Sequence, residues 1–270
     1  MDMYLIKKLY NLHVNGFEKA FCNVINDHNF DIVYSNSISD YYDNFISNFN
    51  INSKKEFYDI INVANNRLKK IGKKTTIYLF PFMNKCYDNR DYYFIKNEFE
   101  LISKEVWQVF KDFENIDKIK TNCIFDVELE LAKNMKQYGN FMYECFKTGD
   151  DDDPYGSIDD GYAKEYANFK SPSNNIECNA YYVKVNGKKV GVTTSVNNKE
   201  YYGIYGLAIK KEFRNQGIGK EVLLKHLNNC KNKKIKLAFL QTEFGYYPYK
   251  MYKNIGFEDL FNAYYYLKNE

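Results

Sequence analysis

The sequence predicts an α/β (α+β) fold in its second half, and three local signals carry that reading. Asn186-Gly187 separates two alternating runs, Ala180–Val185 and Lys189–Ser195, and Asn-Gly suits the positive φ angles of a two-residue hairpin turn. A β-rich run, Tyr201–Ile209, leads through a glycine-bearing loop into a helical pattern with Ile218, Val222, Leu223 and Leu227 on one face. A compact apolar run, 235–242, is then followed by a short helix around 246–254 that Gly256 stops.

The remaining elements follow in order. Residues 126–146 carry helical periodicity through Val127, Leu131, Met135, Met142 and Phe146. Ser157-Ile158-Asp159-Asp160 is placed to cap a second helix running towards Phe169. Two short strands, 257–260 and 263–267, are expected to close the chain. In the first half, Ser53-Lys54-Lys55-Glu56 forms a capping box for a helix through Ile60, Ile61, Ala64 and Leu68 to Gly72. Residues 75–82 and 92–95 read as strands. Residues 100–113 read as a helix with Trp107 in the core. A boundary is expected within 115–125, giving domains 1–122 and 123–270; no Pro/Gly linker marks it, so the halves are expected to pack tightly.

Composition excludes several classes. With 45% hydrophobic residues the chain is globular, and 27 Tyr with 21 Phe give it an aromatic share of 18%. A net charge of +3 offers no broad basic face, so nucleic acid is not the default partner. The basic run 231–236 reads as a solvated helix-to-strand turn. The six Cys form no CxxC pair and the His have no metal-ligand spacing, so no metal is expected. No signal peptide or membrane span is visible, which places the protein in the cytoplasm with reduced thiols.

The loop Arg214-Asn215-Gln216-Gly217-Ile218-Gly219-Lys220 carries the chemistry. First-turn helix N–H groups lack intrahelical partners and bear partial positive charge. Gly217 and Gly219 let a diphosphate approach the backbone, while Arg214 and Lys220 add charge beside it. Read alone, Gly-x-Gly is equally a convenient loop-to-helix junction. Two rival phosphate motifs fail: a Walker loop needs Ser or Thr where Glu221 stands, and a dinucleotide fingerprint needs Gly where Val222 stands.

With Tyr252-Lys253-Asn254-Ile255-Gly256-Phe257 downstream, this stretch resembles the GNAT superfamily of acyl-CoA-dependent N-acyltransferases over residues 125–270. Arg214, Gly217 and Gly219 match its Arg/Gln-x-x-Gly-x-Gly/Ala pyrophosphate motif. The resemblance implies a mixed, mostly antiparallel sheet flanked by helices, with two tandem GNAT-like halves. The first half resembles, more loosely, the degenerate leading half of two-part bacterial GNAT proteins.

It also implies acetyl-CoA as co-substrate. Leu207, Ala208 and Ile209 would hold the pantetheine arm in a splay between two strands, as an added strand does. Residues 214–220 would hold the diphosphate, and Tyr249 and Tyr252 would complete the donor contacts. Tyr252 would protonate the departing thiolate as a primary amine of a small molecule or peptide attacks directly. Some relatives carry an acid on the strand before the loop; Gly203 occupies that position here, so Glu243 is the substitute base, with Glu177 and Glu200 as alternatives. His226 reads as a half-buried packing residue. The acidic run 150–154 would either attract a cationic amine or serve as an exposed loop. The alternative function is a catalytically silent acyl-CoA-binding or sensor protein of the same fold. A monomer or homodimer is expected. Gly217→Glu is expected to abolish CoA binding and leave the fold intact.

Overall fold

A computed structural model describes residues 2–94, 99–147 and 158–269. The first half begins with helix α1 (Met3–Leu12), capped by Asp2, whose carboxylate accepts the N–H groups of Tyr4 and Leu5. A π-turn (His13–Phe17) and a 3-10 turn (Glu18–Ala20) continue it. Strands β1 (Asn23–Asn26), β2 (Asp31–Tyr34) and β3 (Phe45–Ser47) follow. Helix α2 (Lys54–Lys70) starts where the capping signal placed it. Ser53 Oγ accepts the Glu56 N–H at 3.2 Å, and Glu56 reaches back to the N–H of Asn52. Strand β4 (Thr76–Leu79), short helices α3 (Asn84–Asp88) and α4 (Arg90–Tyr93), and strand β5 (Phe99–Phe110) complete this half.

Strand β6 (Val127–Leu131) opens the second half, followed by α5 (Met135–Phe146), α6 (Gly161–Tyr166), β7 (Glu177–Val185) and β8 (Lys188–Asn197). Then come β9 (Tyr201–Ile209), α7 (Ile218–Asn232), β10 (Leu237–Glu243), α8 (Tyr247–Ile255) and β11 (Glu258–Lys268). The hairpin turn between β7 and β8 is Asn186-Gly187, with φ of 51° and 77°.

All eleven strands form one sheet, in the order β1-β2-β3-β4-β11-β5-β10-β9-β8-β7-β6. Only β3/β4 and β9/β10 pair in parallel, so the sheet is mostly antiparallel, as expected. The halves are interleaved in it. Strand β5 of the first half lies between β10 and β11, and β11 of the second half lies between β4 and β5. Trp107 of β5 is fully buried at this seam. It stacks on Phe239 at 5.6 Å and Phe261 at 5.2 Å, and its Nε1–H donates to the Tyr78 hydroxyl at 2.9 Å.

Four expectations are corrected. Residues 100–113 are a strand, not a helix, up to Phe110. Phe99, Ile102, Val106 and Val109 mimic a helical stripe, but an interior strand is apolar on both faces and loses its period of two. Residues 127–131 are also a strand; the helix starts only after Asn134, whose Oδ1 accepts the Gln137 N–H at 3.0 Å. Residues 90–93 are helical where a strand from Tyr92 was expected, and Ile95 lies outside the described residues. The two closing strands are one, with a register shift between Asp259 and Phe261. The acidic run 150–154 and Ser157 also lie outside the described residues. Helix α6 begins at Gly161, whose N–H is accepted by Asp159 Oδ1 at 2.7 Å.

Among the described residues no helix is long and apolar enough to cross a membrane. Because the lone Trp sits at the seam of the two halves, urea unfolding followed by its fluorescence and by far-UV circular dichroism should give coincident curves. Two separated transitions would show that the halves unfold independently.

Candidate active site

Strands β9 and β10 pair only at Tyr201/Leu237, Tyr202/Ala238 and Gly203/Phe239. Beyond Gly203 they part, so the edge of β9 from Ile204 to Ile209 is not laddered to β10. Strand β9 also carries a bulge. Val192 opposes Ala208 and Thr194 opposes Tyr205, which leaves Thr193 facing two residues, Gly206 and Leu207. Gly206 takes the left-handed conformation, φ 56°, that such a bulge needs. The sequence reading did not use this glycine, although a Gly inside a strand pattern is the usual signal of a bulge.

The splay opens on the N-terminus of α7. Gly217, at φ 77°, ends the loop, and the Glu221 N–H returns to the Gly217 carbonyl at 3.1 Å. The N–H groups of Ile218, Gly219 and Lys220 therefore stand in the first helical turn, where no intrahelical acceptor reaches them. Arg214 Nε donates to the Ile209 carbonyl at 2.9 Å, which ties the loop to the end of β9.

The two glycines differ in what surrounds them. A Cβ on Gly217 would lie 2.7 Å from Asn122 Oδ1 and 2.8 Å from the Cys123 nitrogen, in a left-handed backbone. The expectation that Gly217→Glu spares the fold is thus corrected: that position is packed from behind. A Cβ on Gly219 would meet only Met251 Sδ at 4.0 Å. Gly219 faces open space at the helix N-terminus, a cradle that fits a diphosphate.

A single cavity of about 1190 Å³ joins these parts. It is lined by Leu207, Ala208 and Ile209, by Arg214, Asn215, Gly217, Ile218, Gly219 and Lys220, and by Tyr252 of α8. Tyr252 is half-buried; desolvation, with the nearby Tyr247, holds its phenol well above the ordinary value and keeps it protonated at neutral pH. Three candidates stand outside the cavity lining. The Gln216 amide reaches the Glu212 carbonyl at 3.3 Å, Tyr249 donates to Asp259 at 2.8 Å, and Glu243 accepts from Ser103 at 3.1 Å and Tyr42 at 3.4 Å. Of these partners, Tyr42 does line the cavity. Glu177 and Glu200 pair with Lys233 and Lys236 and stand apart from it. His226 is buried, bonded to Tyr202 at 2.8 Å and Thr193 at 3.1 Å, and burial lowers its pKa to about 3.

The far end of the cavity is built by the first half, which sequence reasoning did not reach. His13, Glu18, Asp43 and Glu105 line it, all buried. Burial lowers His13 to about 3, so it is neutral. Burial, then the neighbouring Asp43, raises Glu18; burial, then Asp40 and Glu165, raises Asp43 against opposing hydrogen bonds from Tyr162 and Glu18. Burial, then the neighbouring Glu243 and Asp43, raise Glu105 to about 7, against the opposing hydrogen bond from Tyr78.

Comparison with known proteins agrees with this geometry. Residues 177–259 match the family model of the acetyltransferase (GNAT) domain. A GCN5-related N-acetyltransferase from Kribbella flavida superposes with a TM-score of 0.66 at 10% identity, covering 97% of this chain and 95% of that one. A conserved protein of unknown function from Staphylococcus epidermidis gives 0.63 at 16% identity, covering 92% and 94%. A tandem GNAT protein from the clavulanic acid biosynthesis pathway gives 0.56 at 11%, covering 78% and 68%. No curated protein matches by sequence. At these identities the likeness to solved structures is one of fold. The class is therefore a GNAT-fold protein with an open strand splay at a helix N-terminus. Within it, residues 177–259 are the stretch that matches the acetyltransferase (GNAT) domain model.

Two predictions test the site. Gly219→Glu should weaken CoA binding by about tenfold or more, because the carboxylate opposes the diphosphate at the helix N-terminus. Its melting temperature should stay within about 3 °C of the parent. Unchanged affinity by calorimetry would remove the loop from the donor site. The second concerns Glu105, whose carboxyl titrates near 7 when folded, against an ordinary 4.5. Below 4.5 both states are protonated and the group costs nothing. As pH rises to 7 the unfolded chain loses the proton first, so stability falls, by ~3 kcal/mol in total from this group. Glu105→Gln should remove that slope in urea melts taken between pH 4.5 and 8; parallel curves for the two proteins would refute it.

Proposed function

We propose that this protein is an N-acyltransferase that moves the acetyl group of acetyl-CoA to a primary amine by direct attack. One observation carries the reading: the splay of β9 from β10, the N-terminus of α7 and Tyr252 all open on one cavity.

In this reading the pantetheine arm lies along the free edge of β9 and takes backbone hydrogen bonds from Leu207, Ala208 and Ile209. The diphosphate meets the first-turn N–H groups of α7, with Lys220 and Arg214 beside it. The amine enters from the side of the first half. Its nitrogen forms a bond to the thioester carbon, and a backbone N–H of the bulged strand faces the developing oxyanion. The C–S bond then breaks, and Tyr252 gives its proton to the thiolate. Such general-acid help contributes ~10²–10⁴ in rate.

The amine proton leaves towards Glu243. That carboxylate accepts from Ser103 and from the hydroxyl of Tyr42, a residue that lines the cavity. Glu243 therefore acts through Tyr42.

Tyr252→Phe should lower kcat by about 100-fold and shift CoA affinity by less than about threefold. An equal loss in both would mean that Tyr252 only packs against Phe257. If acetyl-CoA binds and no amine in a broad panel releases thiol, the protein is an acyl-CoA-binding module and not an enzyme.

A further inference from the structure

The cavity is electrically divided along its length. Its lysine and arginine side chains are Lys211, Arg214, Lys220 and Lys250, on the loop, the first turn of α7 or α8. Its acids are Glu18, Asp40, Asp43 and Glu105, all from the first half. Among the described lining residues no cation faces the acidic end. Lys73, whose charge is felt there, has its Nζ bound to the Ile38 carbonyl.

Three features make the acidic end a built pocket rather than a charged surface. Glu18 is 2% exposed, yet its Oε2 has no hydrogen-bond partner among the described residues. Asp43 and Cys22 place ligand atoms within 4.8 Å of it and of each other. Aromatic side chains stand among the lining: Phe17 and Tyr205, stacked on each other at 3.8 Å, and Tyr162, which donates to Asp43. His13 Nε2 stands 3.4 Å from the other Glu18 oxygen, Oε1, but burial keeps it neutral, so Oε2 is left as an unfilled acceptor that favours a cationic donor.

The attacking amine does not supply that donor through the reaction. It must be neutral to attack, and it ends as an uncharged amide. A positive charge elsewhere in the acceptor persists throughout. We propose that this pocket seats the remote ammonium of an aliphatic diamine or polyamine, held on Glu18 and Asp43, while the other terminal nitrogen attacks the thioester. This deepens the acyl-transfer reading and rests on it. Burial disfavours two negative charges here, and the hydrogen bond between the two acids holds one proton when no ammonium is present, which is consistent with a seat that takes one cation. The pocket also explains a role for the first half, which supplies all four acids of the cavity lining.

The test uses the full-length protein loaded with CoA and two probes of equal carbon length, 1,4-diaminobutane and butylamine. Calorimetry should show the diamine binding about 30-fold more tightly or better. Glu18→Gln and Asp43→Asn should each weaken diamine binding by about tenfold or more and shrink the difference between the two amines; CoA affinity of the same variants reports that the site is folded. Equal affinities for the two amines, or unchanged diamine binding in both variants, would overturn the seat. So would a zinc ion that survives dialysis at Glu18, Cys22 and Asp43 and blocks the diamine. Thiol release with acetyl-CoA separates the two levels of the argument. Preferential diamine binding without release would sink acyl transfer and leave the ammonium seat standing. Release from both amines with equal kcat/KM and equal affinity would do the reverse.

Discussion

The site depends on a constraint between neighbouring strands: β9 and β10 part past Gly203 while each stays paired on its other side. Strand β10 is paired to β5 from Ala238 to Glu243, and β9 is paired to β8 from Tyr202 to Ile209. Two strands that would otherwise close on one another thus keep an open wedge, with unladdered backbone along one edge. An extended ligand can satisfy those groups, as an added strand would. At the root of the wedge, a Cβ on Gly203 would lie 2.8 Å from the Phe239 ring and 2.6 Å from the Tyr205 ring. The position where some relatives carry an acid is therefore filled by aromatic packing. Any carboxylate serving the acceptor has to come from elsewhere.

Elsewhere is the first half of the chain. The wedge opens at one end on a helix N-terminus with lysines and an arginine, and at the other on a buried group of acids. A protein binding an anionic donor and a cationic acceptor in one cavity needs this separation, since mixing the two charge sets would neutralise both. In the proposed reading, burial is what gives the acidic end its selectivity. A carboxylate that is costly to ionise alone becomes favourable to ionise only beside a matching cation.

The donor side was legible in the sequence because its chemistry is local. A helix N-terminus needs small residues at fixed offsets, so Gly217 and Gly219 announce themselves, as do Asn186-Gly187 and the stop at Gly256. The acceptor side was not legible, because Glu18, Asp43 and Glu105 come from separate elements and meet only through the fold. Two strands were also read as helix. In β5 the spacing of Phe99, Ile102, Val106 and Val109 satisfies a helical period, and only the β-branched and aromatic choice at Val106, Trp107, Val109 and Phe110 argued otherwise. In β6, Val127, Leu129 and Leu131 alternate correctly, but the run merges with the amphipathic helix after Asn134. Gly206 was in view and its meaning missed, since a bulge is defined by the partner strand and not by the glycine itself.

The interleaving of β5 and β11 bears on how the chain is made. Strand β11 is the last element in sequence, and it fills the gap between β4 and β5 in the middle of the sheet. Until residues 258–268 leave the ribosome, both of those strands keep a bare edge that neighbouring chains can pair with. The nascent protein cannot complete its first half early and move on, as sequential domains do. Both halves must wait for β11, so its synthesis is followed by one long-range closure that leaves the aromatic-rich interior exposed until it is done, a reason for such a chain to need chaperone protection during synthesis.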